Sequence, residues 1–367
     1  LYSTSSWSFS QLLSVLSSSI ASFMSPVPGP SSDLSPQSSN GQFVFFERLP
    51  VSAFTIVMGF SGLALVWVKV YRISWLPEFS QFMANAIGLL AFVLFVLFMF
   101  FYLTKWVRYP DLVRAEWLHP VKSSFFATVP VSLALLATVA VGQFAPLALP
   151  FWVLGAVLQV FVMILVLNAW IHREALQPAH ASPVWFIPAV ANVVIPLAGV
   201  PLGYLELSWW FFAVGMLFWG VLLTLVLARL LFVQPSFPES LVPTFCIFLA
   251  PPAVGLVSWV LLTKQYADGR SLDVVGQLLF GIAIFFAIFL LSQTRRFAQL
   301  PFYLSWWAFS FPTAAFAMAC LIYLGFTTHP AMTALAATSV ALTTALIVWL
   351  FLRTGWAVFK RDPKLIE

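Results

Sequence analysis

Four histidines and two cysteines are the residues of this chain best suited to bond making, and their spacing forms no familiar catalytic or metal-binding set. His119, His172, His180 and His329 make no HExxH pair, and Cys246 and Cys320 stand far apart inside apolar stretches. A zinc site needs several ligands brought together at short spacing, so no metal and no cofactor is expected. Thiols in apolar surroundings behave as small hydrophobes, and two of them here make no disulfide framework. His172 and His180 share one connection and read as solvated loop residues. The phosphate-cradling GxxxxGK[ST] loop does not occur, which argues against ATP-driven transport by this chain. An enzyme is therefore not expected.

The placement of charge is more informative. No Asp, Glu, Lys or Arg falls deep within a long apolar segment; Glu206 and the basic residues sit at ends or connections. Intramembrane acids and bases mark proton relays and coupling sites because their burial costs at least about 2.5–3.5 kcal/mol each. Their absence argues against a proton-driven pump, and the lack of an acidic ring favours passive passage of anions. One run carries a candidate obstruction: Ser305-Trp306-Trp307-Ala308-Phe309-Ser310-Phe311-Pro312-Thr313. A large ring beside a proline either excludes water from a narrow pore or packs between helices, and residue type alone leaves both open.

The elements that would carry these residues are membrane helices. The chain is 62% hydrophobic, 17% aromatic and 8% charged, with a mean hydropathy of +0.99. Soluble proteins are about 25% charged. A helix crosses the ~30 Å hydrocarbon core with about 20 apolar residues. Ten segments approach or meet that length: 50–71, 82–104, 120–141, 151–171, 183–204, 207–233, 240–263, 274–294, 301–325 and 331–352. The odd-numbered ones contain proline and the even-numbered ones do not. Proline frees a backbone carbonyl in a helix interior, which lipid tolerates only where neighbours or water satisfy it. The sequence thus predicts an all-α integral membrane fold of five helical hairpins. Five proline-kinked inner helices surround a pore, and five smooth outer helices face lipid.

Basic residues orient the chain. Thirteen of the seventeen Lys and Arg fall on the side shared by the N-terminus, the even-to-odd connections and the C-terminus. The positive-inside rule makes that side cytoplasmic. The net charge of +5 is explained by this bias, and no basic stripe outside it suggests nucleic acid. Tryptophans such as Trp67, Trp106, Trp170, Trp209 and Trp259 sit near segment ends, where interfacial rings belong. Residues 1–46 differ: sixteen of the first forty are serine, a Ser/Pro-rich composition that predicts disorder. Met24 precedes the densest such stretch, and residues 1–23 read as an upstream artefact or an unusual tail. The membrane domain is expected over 47–358, followed by a short basic cytoplasmic tail at 359–367.

At this point the chain resembles the family of tellurite-resistance TehA and the guard-cell slow anion channels, which also contains yeast malate and sulfite permeases. The resemblance covers about 47–355. It rests on Val113-Arg114-Ala115-Glu116-Trp117-Leu118-His119-Pro120-Val121-Lys122 and on the run 305–313, with support from Pro188-Ala189-Val190-Ala191-Asn192 and Leu249-Ala250-Pro251-Pro252. It implies a homotrimer in which each protomer has its own pore. It also implies that Phe311 blocks the pore, that Tyr323 is a further pore-side aromatic, and that Arg114, Glu116, His119 and Lys122 form a cytoplasmic-mouth motif giving local structural support. Thr55, Gly59, Pro130, Pro188, Pro251 and Pro312 are expected to line the pore. Thr55 departs from the Phe-Gly-x-x-x-Gly pattern often seen in the family, so its selectivity does not carry over. The expectation is a multi-pass protein of the cell (inner) membrane, in contact with lipid and with small inorganic or organic anions. It passes anions down their gradient; the alternative is a carrier or efflux permease for malate, sulfite or tellurite.

Overall fold

The computed structural model describes residues 49–174, 176–234, 237–264 and 271–360. The serine-rich tail and the last seven residues lie outside these. Helix is the dominant element among the described residues, and none of them forms a strand. Five units repeat, and each begins with a 3-10 turn that passes into an α-helix. The turn Val51–Ala53 leads into α1 (Phe54–Arg72), which is followed by α2 (Pro77–Arg108) and a short α3 (Pro110–Leu118). The turn Lys122–Ala127 leads into α4 (Thr128–Gln143), followed by α5 (Ala145–His172). The third unit has turns at Pro178–His180 and Pro183–Trp185, then α6 (Phe186–Val194), α7 (Pro196–Gly199) and α8 (Leu205–Phe232). The turn Glu239–Leu249 leads into α9 (Ala250–Leu262), followed by α10 (Val274–Ser292) and the short α11 (Thr294–Ala298). Last come the turn Leu304–Phe309, α12 (Ser310–Leu324) and α13 (Pro330–Lys360).

Packing separates two layers. Helices α1, α4, α6, α9 and α12 touch one another in sequence, and α12 returns to α1, so the five close into a ring. Each also packs against the long helix that follows it in its own unit: α2, α5, α8, α10 and α13. Burial agrees. In the four inner helices long enough to cross a membrane, 61–89% of the span is buried, against 28–33% for the five outer ones. Exposed Phe82, Phe100, Leu217, Phe285 and Leu342 cover the outer faces with apolar side chains, as lipid contact requires.

Prolines mark the inner layer in a different way from an interior kink. Pro130, Pro188 and Pro312 are each the third residue of their α-helix, and Pro251 and Pro252 are the second and third of theirs. They stand where the 3-10 turn becomes α, and there the missing N–H disrupts little regular hydrogen bonding. Hydroxyls bond the ring together: Ser132 to the Phe54 carbonyl at 3.4 Å, Ser258 to the Val193 carbonyl at 2.6 Å, and Ser310 to the Thr55 carbonyl at 3.5 Å.

Two expectations are corrected. The described residues contain nine apolar helices long enough to span, and the fifth segment is a shorter stretch, Pro183–Gly199, interrupted at Ile195. Four prolines, Pro183, Pro188, Pro196 and Pro201, leave it no room for an unbroken helix. At the break the Ile195 carbonyl accepts the Trp152 indole N–H at 3.0 Å. The Pro188 carbonyl accepts the Gln159 amide at 2.9 Å. Side chains of α5 thus bond backbone carbonyls of the fifth segment at and before the break, and the Ile195 carbonyl also accepts the Gly199 N–H at 3.1 Å. Nor are the outer helices free of proline: α2 and α13 begin with one, and α5 starts at Ala145 and includes an exposed Pro150. The first turn accepts proline without loss, whereas Pro150 lies beyond it, inside α5.

Candidate functional site

Three cavities lie within the inner ring, and each is lined by all five repeats. The first, about 370 Å³, opens among the 3-10 turns and is bounded by residues such as Ser52, Lys122, His180, Ser240 and Ser305. The second, about 250 Å³, lies toward the opposite helix ends, where Lys69, Thr138, Pro201, Leu261 and Met318 bound it. Between them is a space of about 30 Å³ lined by Met58, Val131, Ile187, Ile247 and Trp307, room for about one or two waters. Phe311 alone lines both the small cavity and the second one. Thr55, Phe125 and Ala308 are shared by the small cavity and the first.

Local sequence explains why the Phe311 ring fits. A Cβ built on Gly62 of α1 would stand 3.3 Å from Phe311 Cδ2 and 3.0 Å from the Ala314 Cβ. A side chain there would crowd the ring and the Ala314 methyl by a few tenths of an ångström. Thr55 presents its side chain at the other end of the constriction, with its hydroxyl donating to the Ser52 carbonyl at 2.6 Å.

The remaining residues expected at the pore are placed as follows. Pro312 lines the small cavity. Gly59 faces α12, where a Cβ would meet the Ser310 hydroxyl at 2.4 Å. Pro130 and Pro188 lie against α5, and Pro251 is buried at the start of α9. Tyr323 stacks on Phe280 of α10 at 4.1 Å between centroids. None of these last five lines the three cavities.

Polar groups concentrate at the first cavity. Glu116, His119 and Lys122 line it, whereas Arg114 stays on α3 outside it. Glu116 pairs with Lys105 of α2 at 2.6 Å and accepts from the Tyr102 hydroxyl at 3.0 Å and the Val51 N–H at 3.2 Å. The cation that neutralises Glu116 thus comes from α2 and not from the motif itself. His119 Nδ1 accepts the N–H groups of Val121 and Lys122 at 3.1 and 3.2 Å. Burial first, then the nearby Lys122, His180 and Arg173, pushes the His119 pKa below its ordinary value. Its neutral form carries the proton on Nε2. His180, expected in solvated loop, lines this cavity, and its Nδ1 accepts the Gln177 N–H at 3.0 Å. His172 remains exposed. Among the described residues, Glu116 is the one carboxylate lining the three cavities, against the cations Lys122, Lys69 and Arg72.

A repeated clamp holds the 3-10 collar. In every unit a basic residue at or just after the end of the outer helix reaches back toward the start of that unit's inner segment or the residues that precede it. Lys105 Nζ donates to the Leu49 carbonyl at 2.9 Å, Arg173 Nη2 to the Trp117 carbonyl at 2.6 Å, and Arg229 Nε to the Ala179 carbonyl at 2.9 Å. Arg296 lies 5.7 Å from the Phe245 ring centre and Arg353 lies 5.8 Å from that of Phe302. Sequence reading had counted all five as orientation signals. It treated Lys69 and Arg72 the same way, although both line the second cavity. Counting charges says which side they favour, not what they touch.

A family model described as "Voltage-dependent anion channel" matches residues 48–355. An uncharacterized transporter of Methanocaldococcus jannaschii is 27% identical over 295 residues, covering 74% of this chain and 84% of the relative. The guard cell S-type anion channel SLAC1 of Arabidopsis thaliana is 25% identical over 320 residues, 85% of this chain and 56% of the relative. The tellurite resistance protein TehA homolog of Haemophilus influenzae is 26% identical over 274 residues, 73% of this chain and 79% of the relative. The chain thus spans little more than half the length of the plant relative and most of the microbial ones.

Proposed function

The chain belongs to the voltage-dependent anion channel family, and from that premise we propose that it is a passive anion channel with one pore in each protomer, gated by Phe311. The carrying observation is the row of three cavities inside a ring of five helices, narrowing where Phe311 borders the smallest space. An anion must shed water to pass an apolar constriction, so the ring closes the path without needing to fill it. Among the described lining residues, three cations against one neutralised carboxylate give the path its sign. Selection then rests on width and on hydroxyl and backbone dipoles. The protein is a multi-pass membrane protein, and the proposal extends to an assembly of three copies in the cell membrane with both termini in the cytoplasm.

Phe311→Ala in planar bilayers is the test. The variant is expected to raise anion conductance at least tenfold over the parent chain, with chloride against gluconate fixing the sign of the permeant ion. A variant as silent as the parent would remove Phe311 as gate. Saturable counterflow without unitary current steps would identify a carrier instead.

A further inference from the structure

Ser182 is 1% exposed and stands at the N-cap of the turn Pro183–Trp185, yet its hydroxyl makes no capping bond and has no partner in the structure. A buried hydroxyl left unpaired is destabilising, because it loses the hydrogen bonds water would supply. It lines the 370 Å³ cavity together with His119, His180 and Lys122. Both histidines use Nδ1 to accept backbone N–H groups, so each carries its proton on Nε2 and becomes a donor there. The lining carboxylate, Glu116, is already occupied by Lys105, Tyr102 and the Val51 N–H. The four side chains therefore bring donors and one full positive charge to a single space.

We propose that His119, His180, Ser182 and Lys122 form a binding site for a small oxyanion in the cavity among the 3-10 turns. Several separate donors are better matched by an anion with several acceptor oxygens than by a monatomic ion, because each oxygen satisfies a different donor. Lys122 supplies the charge, and Ser182 gains the partner its buried hydroxyl lacks. The site deepens the channel reading by naming what waits at the mouth, and it stands or falls separately from the gate.

Nitrate is the probe, with chloride at equal ionic strength as reference. Thermal unfolding of the full chain in detergent reads binding without requiring conduction, since a ligand bound to the folded state raises Tm. Nitrate is expected to raise Tm above the chloride value for the parent chain. The difference should vanish in Ser182→Ala and fall at least by half in Lys122→Gln. Equal nitrate and chloride curves for the parent, or an undiminished nitrate effect in both variants, would overturn the site. A second measurement uses the Phe311→Ala background in bilayers. There Ser182→Ala should lower the nitrate-to-chloride permeability ratio several-fold, and an unchanged ratio counts against the site. Absence of any current from Phe311→Ala bears on the gate alone, because the binding measurement still decides the site.

Discussion

At the scale of single residues, the polar groups of the mouth are defined by what already occupies them. His119 has both a neighbour set that opposes protonation and an acceptor duty at Nδ1. Its pKa is lower in the folded protein than in the unfolded chain, so the unfolded state takes up the proton first. Stability contributed by neutral His119 is therefore intact above about pH 6.5, the ordinary histidine value. It falls as pH drops from there through the folded pKa. Thermal unfolding between pH 7.5 and 5.0 should show Tm declining on the acid side, with a shallower decline in His119→Gln. A parent and variant with the same slope would assign the decline to other groups. Glu116 illustrates the opposite case: bonded to Lys105, Tyr102 and Val51, it is a structural carboxylate even though it lines the cavity.

At the scale of elements, close packing and buried charge set the ring. Gly59 has no space for a methyl group, since a Cβ there would meet the Ser310 hydroxyl at 2.4 Å. Gly59→Ala must push α1 from α12 and should destabilise by about 1–3 kcal/mol, as overpacked cores do, read as a lower Tm. The Lys105–Glu116 pair makes a sharper forecast. Lys105→Met leaves a carboxylate with little solvent and should cost about 3–5 kcal/mol, whereas Lys105→Met combined with Glu116→Gln should recover most of it. A double variant no better than the single would mean that Lys105 acts through the Leu49 carbonyl alone. Much of the element layout was legible in advance. Prolines singled out the buried helices, although they do so by opening each α-helix after its 3-10 turn and not by freeing a carbonyl in a helix interior. Their position at the 3-10 to α junction was not legible, because composition says nothing of where a turn tightens. The break at Ile195 follows from four prolines in one segment, yet the Trp152 and Gln159 side chains that brace this segment come from another helix. Phe311 could be singled out by its proline neighbour, but Gly62, which makes room for it, belongs to a segment far away in sequence.

At the scale of the whole molecule, the five clamps and both described ends of the chain lie at one end of the bundle. If that end is cytoplasmic, a cysteine placed at Lys360 should react with an impermeant maleimide only in opened cells, while one at Lys264 should react in intact cells. The reverse pattern would invert the protein in the membrane. The sizes of the three cavities have an electrical consequence as well. A mouth wide enough for ions and water takes the potential of the solution it opens to, as a wire does. The voltage between the two solutions then falls across the short apolar stretch beside Phe311 instead of across the full bilayer. One elementary charge traversing the whole potential exchanges about 2.3 kcal/mol for each 100 mV, and here that exchange is compressed into a distance of a few side chains. If Phe311 closes the path as proposed, the thickness of the membrane as its own electric field experiences it is set there by the girth of one aromatic ring.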